Sequence, residues 1–139
     1  MNIGAAIYSI LKNDAAVSAI VGTGDNCKIY PVVIPQGVVS PSVKFHVVHV
    51  QPTDTKQGVS PLDVYTIQID SFAKDTDTSS GDAIAADLDS KIRTALDRYH
   101  GTVSGIVIDK IWYQGTQDMY DYDSNEFQKS SDYKIRVKL

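Results

Sequence analysis

The chain has 139 residues, 42% of them hydrophobic and 22% charged, which suits one folded domain and excludes global disorder. A domain of this length buries roughly 68–70% of the surface its unfolded chain exposes, so it needs neither a disulfide nor a metal to fold. A formal net charge of −4 and a pI near 5.1 argue against a dedicated duplex-DNA reader, which works through a basic stripe, and leave only passing contact with DNA open.

The first predicted element is a helix in which Ile3, Ile7, Ile10 and Leu11 share one face. Asn13-Asp14 interrupts it, and Asp14 is placed to cap a second short helix carrying Val17, Ile20 and Val21, which Gly22-Thr23-Gly24 ends. Cys27, the one cysteine, has no partner for an internal disulfide and no Cys/His cluster for zinc. Met1-Asn2-Ile3 lacks a basic leader, so no signal peptide is expected, and no apolar run approaches the ~20 residues that span a bilayer.

Ile29-Tyr30-Pro31-Val32-Val33 reads as a short extended piece kept to a sheet edge by Pro31, followed by a turn at Pro35-Gln36-Gly37. From Ser42 to Val50 apolar Val43, Phe45 and Val47 alternate with Lys44 and His46, the mark of a strand with one buried face. Gln51 to Pro61 is polar and turn-rich, a long hairpin loop holding Asp54, Lys56 and Gln57. Leu62 to Phe72 is the returning strand.

Lys74 to Asp82 is a polar loop ending in a helix start, with Ser79 as the expected N-cap and Asp82 as its acidic partner. Ile84, Leu88, Ile92, Leu96 and Tyr99 then fall at helical spacing, with Gly101 as the stop. Val103 to Tyr113 is rich in β-formers. Gln114 to Lys129 is polar and tyrosine-rich and reads as a strand end plus a connecting loop. The last segment alternates Tyr133, Ile135, Val137 and Leu139 with Lys134, Arg136 and Lys138. This order predicts an α+β fold: a mainly antiparallel sheet with the N-terminal helix and one longer helix packed on one face. No linker divides the chain, so residues 1–139 are expected to form a single domain.

No catalytic constellation emerges. Gly22 and Gly24 lack the third glycine of a dinucleotide loop, and no phosphate loop is present. In Gly101-Thr102-Val103-Ser104-Gly105 the serine stands at the fourth position, not the third of a hydrolase elbow, so a turn into a strand is expected. His46 and His49, three apart on a strand, are expected on opposite faces and unable to share a metal; His100 sits at a helix end. His46, Asp70 and Tyr113 would form a site only if the fold brought them together.

Two charged stretches stand out. Asp118, Asp121, Asp123 and Glu126 cluster beside Tyr113, Tyr120, Tyr122 and Phe127 without the glycine or ligand spacing of a calcium loop. They read as a solvated acidic loop or as a surface that docks proteins or repels DNA. Lys134, Arg136 and Lys138 read as an exposed, charge-guarded strand face or as the inter-subunit partner of an acidic loop.

Taken in order, Leu11 to Gly22, Ile29-Tyr30-Pro31, Pro35-Gln36-Gly37, Pro41-Ser42-Val43, the strand Tyr65 to Ala73 ending in an aromatic, and the helix Ala83 to Leu96 resemble the tail-completion (tail-terminator, or tail-to-head joining) proteins of long-tailed bacteriophages. The resemblance covers residues 3–97; Gln114 to Lys129 has no counterpart motif. It implies a virion protein, made in the bacterial host cytoplasm, that assembles as a hexameric ring. Such a ring terminates the tail tube and joins it to the head connector, and DNA passes through it without sequence-specific binding. It implies no catalytic residue, no cofactor and no membrane contact. The expected partners are further copies of the chain, the tail tube protein and a head-completion or connector protein. The long loop around Asp54, Lys56 and Gln57, the acidic Asp118–Glu126 stretch with Tyr120 and Tyr122, and the Lys134–Arg136–Lys138 stripe are the candidate contacts. Another neck or head-completion protein is the nearest alternative, and a small α+β enzyme or ligand-binding domain the more distant one.

Overall fold

The computed structural model describes residues 2–52 and 62–138. Two helices open the chain, α1 (Ile3–Lys12) and α2 (Ala15–Val21), followed by a 3-10 turn at Gly24–Asn26. Asn2 caps α1 by accepting from the Ala5 N–H, and Asp14 caps α2 by accepting from the Ala16 and Val17 N–H groups, each at 3.1 Å. The buried face of α1 is Ile3, Ala6, Ile7 and Leu11, each large side chain adding about 1.5–3 kcal/mol on burial.

The strands are β1 (Ile29–Pro31), β2 (Ser42–Pro52), β3 (Leu62–Ala73), β4 (Gly101–Val103), β5 (Ile106–Asp121) and β6 (Glu126–Lys138), with helix α3 (Gly81–Leu96) between β3 and β4. They form one six-stranded sheet in the order β1-β2-β3-β6-β5-β4. The α+β class holds, but the sheet is mixed where the sequence suggested a mainly antiparallel one. β1 joins β2 in parallel, Ile29 beside Val43 and Pro31 beside Phe45, whereas the pairings from β2 onward are antiparallel. A parallel neighbour normally needs a long crossover. Here the strand is three residues long, so the segment from Val32 to Pro41 suffices to bring the chain back.

One face of the sheet carries the core: Val43, Phe45, Ile67, Ile69, Ile106, Ile108, Ile111, Tyr133, Ile135 and Val137 pack under Leu88, Ile92 and Leu96 of α3 and the apolar face of α1. Val17 and Val21 of α2 join this core, so the second short helix that the sequence predicted packs there beside the two expected on that face. The opposite face presents Lys44, His46, Gln68, Lys134, Arg136 and Trp112. Two register shifts in β5, at Ile108/Lys110 and Tyr113/Gly115, each insert a residue, so Ile108 and Ile111 both face the core although three apart.

Four local expectations are corrected. Gln114 to Lys129 is not a connecting loop; it forms the ends of β5 and β6, which pair up to Asp121 opposite Glu126 and close in a short turn with Asn125 at φ 55°. The N-cap of α3 is Ser80, not Ser79: the Ser80 hydroxyl accepts from the Ala83 N–H at 3.1 Å, while Ser79 is held in a turn by Thr76. Gly101 does not stop α3, which ends at Leu96; it opens β4. A bulge at Val48 sets His46 opposite Gln68 and His49 opposite Thr66, so the two histidines share a face after all. The Ser104-Gly105 turn links β4 to β5 as a tight hairpin, with φ of 51° and 76°. The long loop with Asp54, Lys56 and Gln57 lies outside the described residues.

Candidate functional site

Two charged surfaces lie at opposite ends of the β5–β6 ribbon. The first is the hairpin tip, Tyr120 to Phe127. Cross-strand pairing puts Tyr120 opposite Phe127, with ring centroids 4.9 Å apart at 66°, and Tyr122 stacks edge-on against Tyr120 at 4.9 Å. Tyr122 is 84% exposed at the apex. Asp121 accepts from the Asp123 N–H at 3.0 Å, which shapes the turn. Asp121, Asp123 and Glu126 have no cationic partner among the described residues. Val32 and Val33, 63% and 66% exposed, line a hollow beside Asp121 and Glu126.

Asp118 is engaged differently from its acidic neighbours. It lies on the core face opposite Lys129, whose ammonium donates to Asp118 and to Asp82 in the first turn of α3, both at 2.8 Å. Burial disfavours the Lys129 ammonium, but the two carboxylates outweigh it and raise its pKa above 10.5. The bridge fastens α3 to the β5–β6 ribbon just behind the tip. Deeper in, Ser131 donates to Asp89 of α3 at 2.5 Å and lies 2.7 Å from the Thr116 hydroxyl.

At the far end the chain leaves α3 and runs along the edge of β5: the Arg98 N–H donates to the Ile111 carbonyl at 2.7 Å, and the Ile111 N–H to the Tyr99 carbonyl at 3.0 Å. Arg98 is held at φ 68° there, a conformation few non-glycine residues adopt. A groove of about 640 Å³ opens around this edge, with Arg93, Arg98, Lys110, Trp112 and Arg136 on its walls. Arg93 stacks on the Tyr113 ring at 3.9 Å and pairs with Asp97 at 3.9 Å. Trp112 has two cations over its ring, Lys110 at 5.8 Å and Arg136 at 5.7 Å.

Of the basic stripe, Lys134, Arg136 and Lys138 all lie on the face away from the helices. Arg136 bonds Asp109 at 2.5 Å, Lys138 lies 4.0 Å from the same carboxylate, and Lys134 sits opposite Trp112. The groove was not visible in the sequence: Arg98, Lys110 and Arg136 are far apart along the chain and meet only because Lys110 and Arg136 are cross-strand partners. The stripe alone gave a partial signal.

The remaining candidates do not converge. Asp70 is buried, paired with Lys44 at 3.7 Å and accepting from Gln68 at 3.0 Å, on the face that also bears His46. Tyr113 pairs with Tyr133 on the opposite face, so His46, Asp70 and Tyr113 form no common site. Among the described residues no group of three His, Cys, Asp or Glu is placed to hold a metal ion, and no helix is long and apolar enough to cross a membrane.

A family model described as "Tail completion protein gp17" matches residues 5–138. No curated protein matches the chain. Among solved structures, a chain of the "Virion of native gene transfer agent (GTA) particle" superposes with a TM-score of 0.77 at 22% identity, covering 97% of this chain and 93% of that one. A second solved chain superposes with a TM-score of 0.63 at 10% identity, covering 99% of this chain and 94% of the other. At these identities the likeness is one of fold.

Proposed function

The chain belongs to the gp17 tail-completion family of bacteriophage virion tail proteins, and from that premise we propose that its copies form a ring at the top of the tail, where they terminate the tail tube and join it to the head connector. The observation that carries this reading is the family match over residues 5–138, which takes in the β5–β6 ribbon that the sequence motifs left unmatched. The whole of residues 1–139 acts in this reading as one tail-completion unit, and the ring has six members.

The molecule's surfaces suit such a role. Subunits of a ring meet through two different patches that close after a fixed rotation. This chain carries an acidic, aromatic tip at one end and a basic groove at the other. Among the described residues both outer margins of the sheet also have stretches without a strand beside them: β1 covers only Val43 to Phe45 of β2, and β4 only Ile106 to Ile108 of β5. Open strand margins are surfaces on which other chains add. The neighbours in the virion are then further copies, the tail tube protein below and a head-completion or connector protein above. The net charge of −4 lets DNA traverse the ring without adhering.

The direct test is to make particles without this chain and image them. The reading expects heads and tails that fail to join, with tails of irregular length. Joined, infectious particles of normal tail length made in its absence would refute it. Binding of the purified chain to isolated tails, and not to filled heads, separates a tail terminus from a head-completion ring.

A further inference from the structure

We infer that the acidic hairpin tip of one copy seats in the Trp112 groove of the next copy; this inference rests on the ring reading above and names the contact that closes it. The groove has more positive charge than its own acids can balance. Asp97 is taken by Arg93 and Asp109 by Arg136, at 3.9 and 2.5 Å. Arg98 and Lys110 have no acidic partner among the described residues. Lys110 also stands directly opposite Arg136 across the strands, a like-charge pairing that is unfavourable without an anion nearby. The bulge residue Asp109 answers Arg136 and leaves Lys110 unanswered.

The tip has the complementary deficit. Asp121, Asp123 and Glu126 have no cation among the described residues, whereas Asp118, only a few residues away, is held by Lys129. The apex residue Tyr122 is 84% exposed yet sits on a stack of two further aromatic rings, so it is a firmly supported knob. Tyrosine and arginine dominate the centres of interfaces, and a groove of about 640 Å³ walled by Trp112 and four cations, Arg93, Arg98, Lys110 and Arg136, accepts an aromatic flanked by carboxylates.

Tip and groove cannot meet within one molecule. Lys110 and Asp121 are separated by most of β5, about 35 Å at the usual rise of a strand. Complementary patches at opposite ends of a rigid ribbon join copies head to tail, the arrangement a ring requires.

Two experiments test the contact in assembled virions. In the first, virions are produced with Tyr122→Cys at the tip and His100→Cys, at a residue that also lines the groove, in the same chain and then mildly oxidised. An intrachain bond is out of reach, because a disulfide needs Cα atoms within about 7 Å; Cys27 is buried and stays silent. The expected result is a ladder of covalent multimers that neither single cysteine gives. Virions that contain the chain in their tails but yield no ladder would overturn the contact and leave the ring standing, whereas absence of the chain from tails would overturn both.

In the second, one variant reverses the tip (Asp121→Lys, Asp123→Lys, Glu126→Lys) and another the groove (Arg98→Glu, Lys110→Glu). Each alone should cut joined particles by about tenfold or more through like-charge contacts. Produced together they should restore joining, because alternating copies regain opposite charges at every contact. Unimpaired joining by either variant alone overturns the proposal. So does failure of the pair to rescue when each variant unfolds at the wild-type urea concentration.

Discussion

Replacing Lys129 and replacing its two acids should have unequal consequences, and the order is opposite to what counting bonds suggests. The Lys129 side chain is 10% exposed, while those of Asp82 and Asp118 are 58% and 78% exposed. In Lys129→Met the aliphatic stem is kept, the buried charge disappears and both carboxylates rehydrate in place. The cost is then small, about 0–1.5 kcal/mol. In the double variant Asp82→Asn/Asp118→Asn the ammonium stays buried without a counter-charge, and amide oxygens offer only neutral acceptors. Stranding a buried charge costs about 3 kcal/mol. The single variants Asp82→Asn and Asp118→Asn should cost about 1 kcal/mol each, well short of the double variant, because the other carboxylate still faces the ammonium. Urea unfolding followed by tryptophan fluorescence reads the difference, since Trp112 lies in the same β5–β6 ribbon and reports its loss. At a common slope, the double variant should have the lowest midpoint, and a thermal scan should place it about 6–12 °C below Lys129→Met on the usual scale for a domain of this size. A methionine variant less stable than the double asparagine variant would show that Lys129 does not act as a buried cation held by two acids.

Raising the pH should weaken the fold. Lys129 has a folded pKa raised by its acids, and Tyr133 one raised first by burial and then by the Asp89 carboxylate. In both cases the unfolded chain loses its proton first, so stability is intact below about pH 10 and falls above it; a flat urea midpoint from pH 8 to 11 would contradict this. Tyr133→Phe should be neutral or stabilising by up to about 1 kcal/mol, because its buried hydroxyl has no hydrogen-bond partner among the described residues, and a large loss by calorimetry would reveal one. Gly81→Ala should cost about 1–3 kcal/mol by urea midpoint, because a Cβ there meets the Lys74 carbonyl carbon at 2.7 Å and the Phe127 ring at 2.8 Å. Asp14→Ala should cost about 1 kcal/mol as two N–H groups of α2 lose their acceptor, and an unchanged midpoint would show the cap to be idle.

The sequence was most informative where a single period governs a whole element. α1, α3, β6 and β2 as far as its bulge at Val48 each show a buried face at regular spacing, and Asp14 was recognisable as a cap because nothing competes with it. β5 was legible only to Tyr113, for two physical reasons. Its two bulges break the alternation, so Ile108, Ile111 and Thr116 share a face without sharing a period. Its distal half is polar on the core side too, where Thr116 and Asp118 bond Ser131 and Lys129 and do not pack as hydrocarbons. The same bulge logic reversed the expected placement of His49. The parallel seating of β1 could not be read locally, since three residues carry no direction signal. Of the candidate surfaces, the acidic tip was visible as composition, but its division into one engaged acid and three without a cationic partner among the described residues follows from Lys129, which is distant from Asp82 in sequence. The basic groove is wholly a product of pairing.

In the proposed role the chain acts through a closed arrangement of its own copies at one end of the tail. Electron cryomicroscopy of purified tails, at a resolution sufficient to trace the sheet, tests it directly. The expected result is six copies in a single ring at the head-proximal end, each hairpin tip lying in its neighbour's groove. Copies spread along the tube, or a terminus without this fold, would contradict it.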